Sequence, residues 1–132
     1  MLFRSFGKAL ATNQGIQFPL VELQSTAEML RALIHKTAWQ MDKYGAFAVS
    51  DKVSMCNYVA NRFCCDAADR AMQTHGGLGY SRHKPFEHIY RHHRRYRITE
   101  GAEEIQMRRV AGYMFGFMSQ QAPKGVKSVT GR

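Results

Sequence analysis

The sequence predicts an all-α domain arranged as an up-down four-helix bundle. Three observations point to it. Apolar residues recur at three- and four-residue steps through two long stretches, the spacing of one helix face. Glycines interrupt those stretches at Gly45 and again at Gly76, Gly77 and Gly79. No segment shows the alternate apolar spacing of a strand worth assigning, and no internal repeat is present.

Met1 to Gly15 carries Arg4, Lys8 and no acidic residue. Such a start suits either a mitochondrial transit peptide or the lead-in loop of a domain. From about Gln17 the stripe Leu20, Leu23, Ala27, Leu30, Ile34, Ala38, Met41 predicts a first helix, with Pro19 expected in its first turn. Glu22 and Glu28 lie early and Lys36 and Lys43 late, as the helix dipole favours, and Gly45 is the expected terminator. A second stripe, Val49, Val53, Cys56, Ala60, Phe63, Ala67, Ala71, Thr74, predicts a helix from Ala46 to His75. Ser50 or Asp51 can cap or charge its start. Pro85 opens a shorter basic helix, Phe86 to about Arg97, and a last helix is expected from just after Gly101 to near Met118. Residues 1–118 are therefore read as the bundle, and 119–132, polar and without periodicity, as a flexible tail.

At 132 residues the chain is one domain, long enough to bury roughly two-thirds of its unfolded surface. No apolar run approaches the ~18 residues of a membrane span, so no membrane partner is expected. Cys56, Cys64 and Cys65 are odd in number and lack Cys-x-x-Cys spacing, which favours free thiols over a disulfide or zinc site. The net charge of +9 permits a nucleic acid or a phosphate-rich ligand without choosing between them.

Three groups bear on chemistry. Gly76, Gly77 and Gly79 do not suit a helix interior; they mark a turn, or a bare peptide surface against which a cofactor can lie. His88 and His92 share a helix face, but no third ligand stands at a recognisable spacing, so no metal is expected. Arg91, Arg94, Arg95 and Arg97 form a basic cluster that suits solvent, a nucleotide cofactor or nucleic-acid phosphates. Glu103 and Glu104 suit the acidic first turn of a helix. Glu100 differs: it precedes a glycine at the helix entrance, where a carboxylate in apolar surroundings can act as a base.

Phe6-Gly7-Lys8-x-Leu10 with Gln14, then Gln73-x-x-Gly76-Gly77-x-Gly79-Tyr80, then Arg97-Ile-Thr-Glu100-Gly101-Ala-Glu-Glu-Ile105-Gln106 resemble the C-terminal helical domain of acyl-CoA dehydrogenases over about Phe3 to Met118. The N-terminal motif favours the domain reading over a transit peptide. The resemblance implies that Glu100 removes the α-proton of a fatty acyl-CoA while the β-hydrogen leaves as hydride to FAD, giving the trans-2-enoyl-CoA. It implies that the backbone N–H of Glu100 donates to the thioester carbonyl, that Gly101 lies beside the substrate, that Gln73, Gly76 and Gly77 meet the nucleotide half of the flavin bound mainly by the neighbouring subunit, with Phe6 touching the same cofactor, and that Ala102 and Glu104 contact the flavin nucleotide. A homodimer or tetramer is implied, with electron-transfer flavoprotein as a possible acceptor. The compartment would be the mitochondrial matrix in a eukaryote and the cytoplasm in a bacterium.

The family commonly has threonine at Ala102, arginine at Phe3 and aspartate at His92. Its N-terminal helical and middle β domains are not in this sequence, so the lone chain is expected to hold only part of a cofactor site. Two alternatives follow: an inactive oligomerising bundle fragment, or, less favoured, a basic nucleic-acid-binding module.

Overall fold

A computed structural model describes residues 4–117. Among the described residues the fold is all-α with four α-helices: α1 Gln14–Tyr44, α2 Ser50–Tyr80, α3 Phe86–Tyr96 and α4 Glu103–Met114. A two-residue hairpin precedes them, β1 Arg4–Ser5 paired antiparallel with β2 Lys8–Ala9. No alternate apolar spacing marks it in the sequence, because strands this short have no room for one. Its turn residues, Phe6 at φ +52° and Gly7 at φ +78°, supply the two positive dihedrals that a tight hairpin turn requires. The expected tail, 119–132, lies outside the described residues.

α2 is the spine, and α1, α3 and α4 all pack on it. Four side-chain contacts fix the directions. His75 stacks on Phe86 at 4.7 Å between ring centroids, and Asn61 donates to the Tyr96 carbonyl at 3.5 Å, so α3 runs antiparallel to the second half of α2. Arg62 meets Glu103, and Ser50 meets Tyr113 at 2.7 Å, so α4 runs antiparallel to the first half. Direction thus alternates through α1, α2 and α3, and α4 then keeps the direction of α3. The break between α3 and α4 faces the middle of α2.

Several boundaries and faces differ from expectation. α1 begins one turn earlier than Gln17, which moves Pro19 into the second turn; the carbonyl of Gly15 loses its helical partner there, at a position open to solvent. The buried face of α1 is Leu30, Thr37 and Gln40, whereas Ile34, Ala38 and Met41 are exposed. Thr37 is turned inward by a hydrogen bond accepted from Cys56 at 3.5 Å, which apolar spacing could not reveal. Asp51 does not cap α2 but lies buried in its first turn, paired with Lys52 at 3.0 Å. α4 stops at Met114, four residues before the expected end, where Gly116 turns to φ +79°.

The expected break at His75 is present in a modified form. Gly76 sits at φ +58°, ψ −144°, a region that essentially only glycine occupies, and helical bonding then resumes to Tyr80. The resumed turn folds hard against the end of the rod: a Cβ on Gly79 would lie 2.5 Å from the Met72 carbonyl oxygen. Gly76→Ala is expected to cost about 1–3 kcal/mol. Gly77→Ala, where an added Cβ meets nothing within 4 Å, should stay within about 0.5 kcal/mol. Urea denaturation followed by circular dichroism checks the contrast, and equal costs would refute it.

Candidate functional site

The loop between α3 and α4 presents Glu100. α3 closes with the Ile98 and Thr99 amides both donating to the Arg95 carbonyl at 2.9 Å. The chain then turns through Glu100 at φ +61° and Gly101 at φ +89°. Positive φ is routine for glycine, but it costs a glutamate roughly 1–2 kcal/mol.

The loop is pinched at its neck. The Glu103 amide donates to the Arg97 carbonyl at 3.1 Å. Between the same two residues the Arg97 guanidinium donates twice to the Glu103 carboxylate, at 2.9 and 3.0 Å. Arg62 of α2 grips that carboxylate from another side, again with two bonds, both 3.0 Å. Inside the neck, the Gln106 side-chain amide donates to the carbonyls of Glu100 at 3.0 Å and Gly101 at 3.4 Å. The dihedral of Gly101 favours glycine, and a Cβ there would lie 2.8 Å from that amide nitrogen and push the Gln106 side chain aside. Glu100 itself is exposed.

The two guanidinium groups hold the Glu103 carboxyl down to about 2, Arg62 contributing most and Arg97 next, with burial opposing. The hydrogen bond to Glu103 in turn raises Arg97. Burial pushes the Cys65 thiol up, and the neighbouring Arg97 pulls the other way.

The remaining expected site residues divide into two places. Ala102 stands at the entrance of α4, where its carbonyl accepts from the amides of Ile105 and Gln106 at 2.8 and 3.1 Å, and Glu104 is exposed in the first turn. These two stay with Glu100 and Gly101. Gln73, Gly76 and Gly77 are exposed elsewhere. Gly76 lies 14 residues beyond Arg62 along α2, about 21 Å at the helical rise. Phe6 is fully exposed at the turn of the hairpin that precedes α1.

Glu103 and Gln106 were not expected to shape the site. Glu103 gave only the signal of an acid in a first helical turn, and its partner Arg62 is too distant in sequence for any spacing rule. Of the basic cluster, Arg97 is engaged with Glu103 and Arg91 pairs with Glu87 at 3.3 Å. His88 and His92 stack at 6.2 Å, and no group of three metal-ligating side chains occurs among the described residues. No described helix is long and apolar enough to cross a membrane.

The family described as acyl-CoA dehydrogenase, C-terminal domain, matches residues 3–115. The Mycobacterium tuberculosis protein named "Probable acyl-CoA dehydrogenase FadE2" is 35% identical over 107 residues, covering 81% of this chain and 26% of that protein. The CarC subunit of the caffeyl-CoA reductase-Etf complex of Acetobacterium woodii is 30% identical, covering 84% of this chain and 29% of its own length. A Mycobacterium abscessus structure described as of an acyl-CoA dehydrogenase superposes with TM-score 0.81 at 25% identity, covering 87% of this chain and 28% of that one. The chain thus spans about a quarter of the length of the relatives it matches.

The Glu103 carboxyl lies lower in the folded chain than its ordinary 4.5. Its stabilising effect is therefore complete above pH 4.5 and is lost as pH falls from there towards 2. The expected loss is roughly 2 kcal/mol, after discounting for solvent at Arg62. Glu103→Gln should abolish that part of the acid dependence while lowering stability at pH 7. Urea midpoints between pH 7 and 3 measure it, and identical acid slopes in both proteins would refute the assignment.

Proposed function

The chain belongs to the acyl-CoA dehydrogenase C-terminal domain family, and we propose that it serves as that domain in a flavin-dependent enzyme that desaturates an acyl-CoA thioester between its α and β carbons. The observation that carries this reading is Glu100, exposed on a pinched loop at φ +61° beside Gly101, in the part of the chain that matches the family.

In this reading Glu100 is the base. Its carboxylate accepts the proton from the α-carbon, and the electrons left behind spread onto the thioester oxygen. The Glu100 N–H donates to that oxygen; a donor fixed in advance at growing charge is among the strongest catalytic effects. FAD, when bound, supplies the two-electron acceptor for the β-hydrogen. Phe6, Gln73, Gly76 and Gly77 would hold the nucleotide end of the flavin bound mainly by the neighbouring subunit of the assembled enzyme. They fit that role: the Phe6 ring is free, and the main chain at Gly76 and Gly77 has open space where a Cβ would stand. Ala102 and Glu104 would lie on the flavin side of Glu100, with Ala102 offering no hydroxyl.

The neighbouring proteins bear on partners. CarC is named as part of an Etf complex. We extend electron transfer to an electron-transfer flavoprotein, and assembly as a homodimer or tetramer, to the complete enzyme of which this chain would be one domain. The alternative of a nucleic-acid module has less to stand on, because Arg97 is spent on Glu103 and Arg91 on Glu87.

The test exchanges this chain for the C-terminal domain of a full-length relative. Acyl-CoA oxidation and flavin absorbance should both persist in the chimera. Glu100→Gln should then reduce turnover at least a thousandfold, the scale expected when an essential base is lost, with flavin absorbance unchanged. Undiminished turnover in that variant would overturn the role of Glu100. The isolated chain should not oxidise acyl-CoA.

A further inference from the structure

The conformation of Glu100 is not one its own residue type prefers. A glutamate at φ +61° persists only where its surroundings over-determine it. Thr99 and Ala102 beside the turn are tied by main-chain bonds to the end of α3 and the start of α4, away from Glu100 itself, and Gly101 frees the chain rather than fixing it. Further constraint comes from side chains that reach the loop.

Two such holds are present. The neck is closed by Arg97 and Glu103 through the main chain at 3.1 Å and through paired side-chain bonds at 2.9 and 3.0 Å. Both carbonyls that follow the strained φ are held by one donor, the Gln106 amide, at 3.0 and 3.4 Å. Arg62 then ties the closed neck to α2. A planar guanidinium matched to a carboxylate by two bonds fixes orientation as well as distance.

We propose that Arg97, Glu103 and Gln106 are positioning residues that hold the main chain of Glu100 in its strained turn, and that Arg62 sets where that turn stands on α2. None of the four touches the reacting atoms in this scheme. Its purpose rests on Glu100 being the base; its geometry does not.

The two holds should separate on mutation. Arg97→Lys keeps the charge but replaces the two-pronged fork with a single point, which opens the neck. Gln106→Met keeps the volume and removes the donor to both carbonyls, without disturbing any ion pair. Arg62→Lys leaves the neck closed and loosens only its attachment.

Nuclear magnetic resonance of the labelled 132-residue chain tests this, with amide exchange and the Glu100 Cα shift as readouts. Arg97→Lys and Gln106→Met should each speed exchange at Glu100 and Gly101 at least tenfold and move the Glu100 Cα shift away from its positive-φ value. Amides in α1 and the middle of α2 should not change. Arg62→Lys should leave the Glu100 Cα shift in place, and Glu28→Gln, which breaks the exposed pair with Arg31, serves as the control. If Arg97→Lys does not fold, Gln106→Met carries the test alone. Unchanged exchange and shift at Glu100 in a folded Gln106→Met chain overturn the proposal, as does loosening spread evenly over α3 and α4. These readouts are independent of what Glu100 does chemically. A failed clamp is therefore distinguishable from a failed base, which the turnover of Glu100→Gln reports separately.

Discussion

One carboxylate shared by two guanidinium groups governs this molecule. Removing Glu103 from water is costly, and a lone buried ion pair often only breaks even against that cost. Here four charge-assisted bonds from Arg62 and Arg97 occupy both carboxylate oxygens. The arrangement also joins three elements at one point: α2 through Arg62, the end of α3 through Arg97 and the start of α4 through Glu103. The entrance of α4 therefore cannot drift along α2, and the five residues between Arg97 and Glu103, which carry Glu100, have fixed ends.

The rest of the architecture follows from α2 being surrounded. Its residues face α1, α3 and α4, and through its first half, 50–64, most side chains are half-buried between them. The largest fully buried side chains, Val49, Cys65 and Ser54, are all small and sit in or beside it. Small residues let the neighbouring helices approach closely, which is how a chain of this length builds a core with one central rod. α1, with α2 as its main partner, is left with Phe18, Val21, Met29 and Trp39 exposed.

Much of this was legible in the sequence. The two long helices, the break at His75–Gly76 and the start of α4 after Gly101 follow from apolar spacing and glycine placement; the structure has the start of α1 within a turn, whereas α2 begins four residues later than Ala46 and resumes helical bonding past the break to Tyr80. The inner face of α1 beyond Leu30 was misread because Thr37 and Gln40, not apolar residues, point inward there. The hairpin was too short for any periodic signal. Glu100 and the glycine turn were visible as departures from helical composition, since strained or bare backbone needs residues that a helix would avoid. Glu103 was visible only as an acid in a first turn. What gives it its importance is Arg62, brought to it by the pairing of α2 with α4, and pairing between distant segments has no local signature.

That pairing also sets the spacing of the candidate site. The Glu100 loop faces α2 at Arg62, while the turn at Gly76 ends the same rod about 21 Å further on. Between Arg62 and Gly76 the helix has no residue with non-helical dihedrals. A helix of that length bends little without a proline, a glycine or a lost bond, and none interrupts this stretch. The loop of the acid, tied to α2 at Arg62, and the bare peptides at Gly76 are therefore spaced by one unbroken stretch of helix, and each has a backbone that departs from the helical. The strain at Gly76 is met by the residue itself, because glycine alone accepts those dihedrals. The strain at Glu100 is met by its neighbours, because a glutamate cannot be exchanged for glycine without losing the carboxylate. A position that must keep its side chain can adopt an unfavourable backbone only if other residues hold it there, and this is why the clamp stands at Glu100 and not at Gly76.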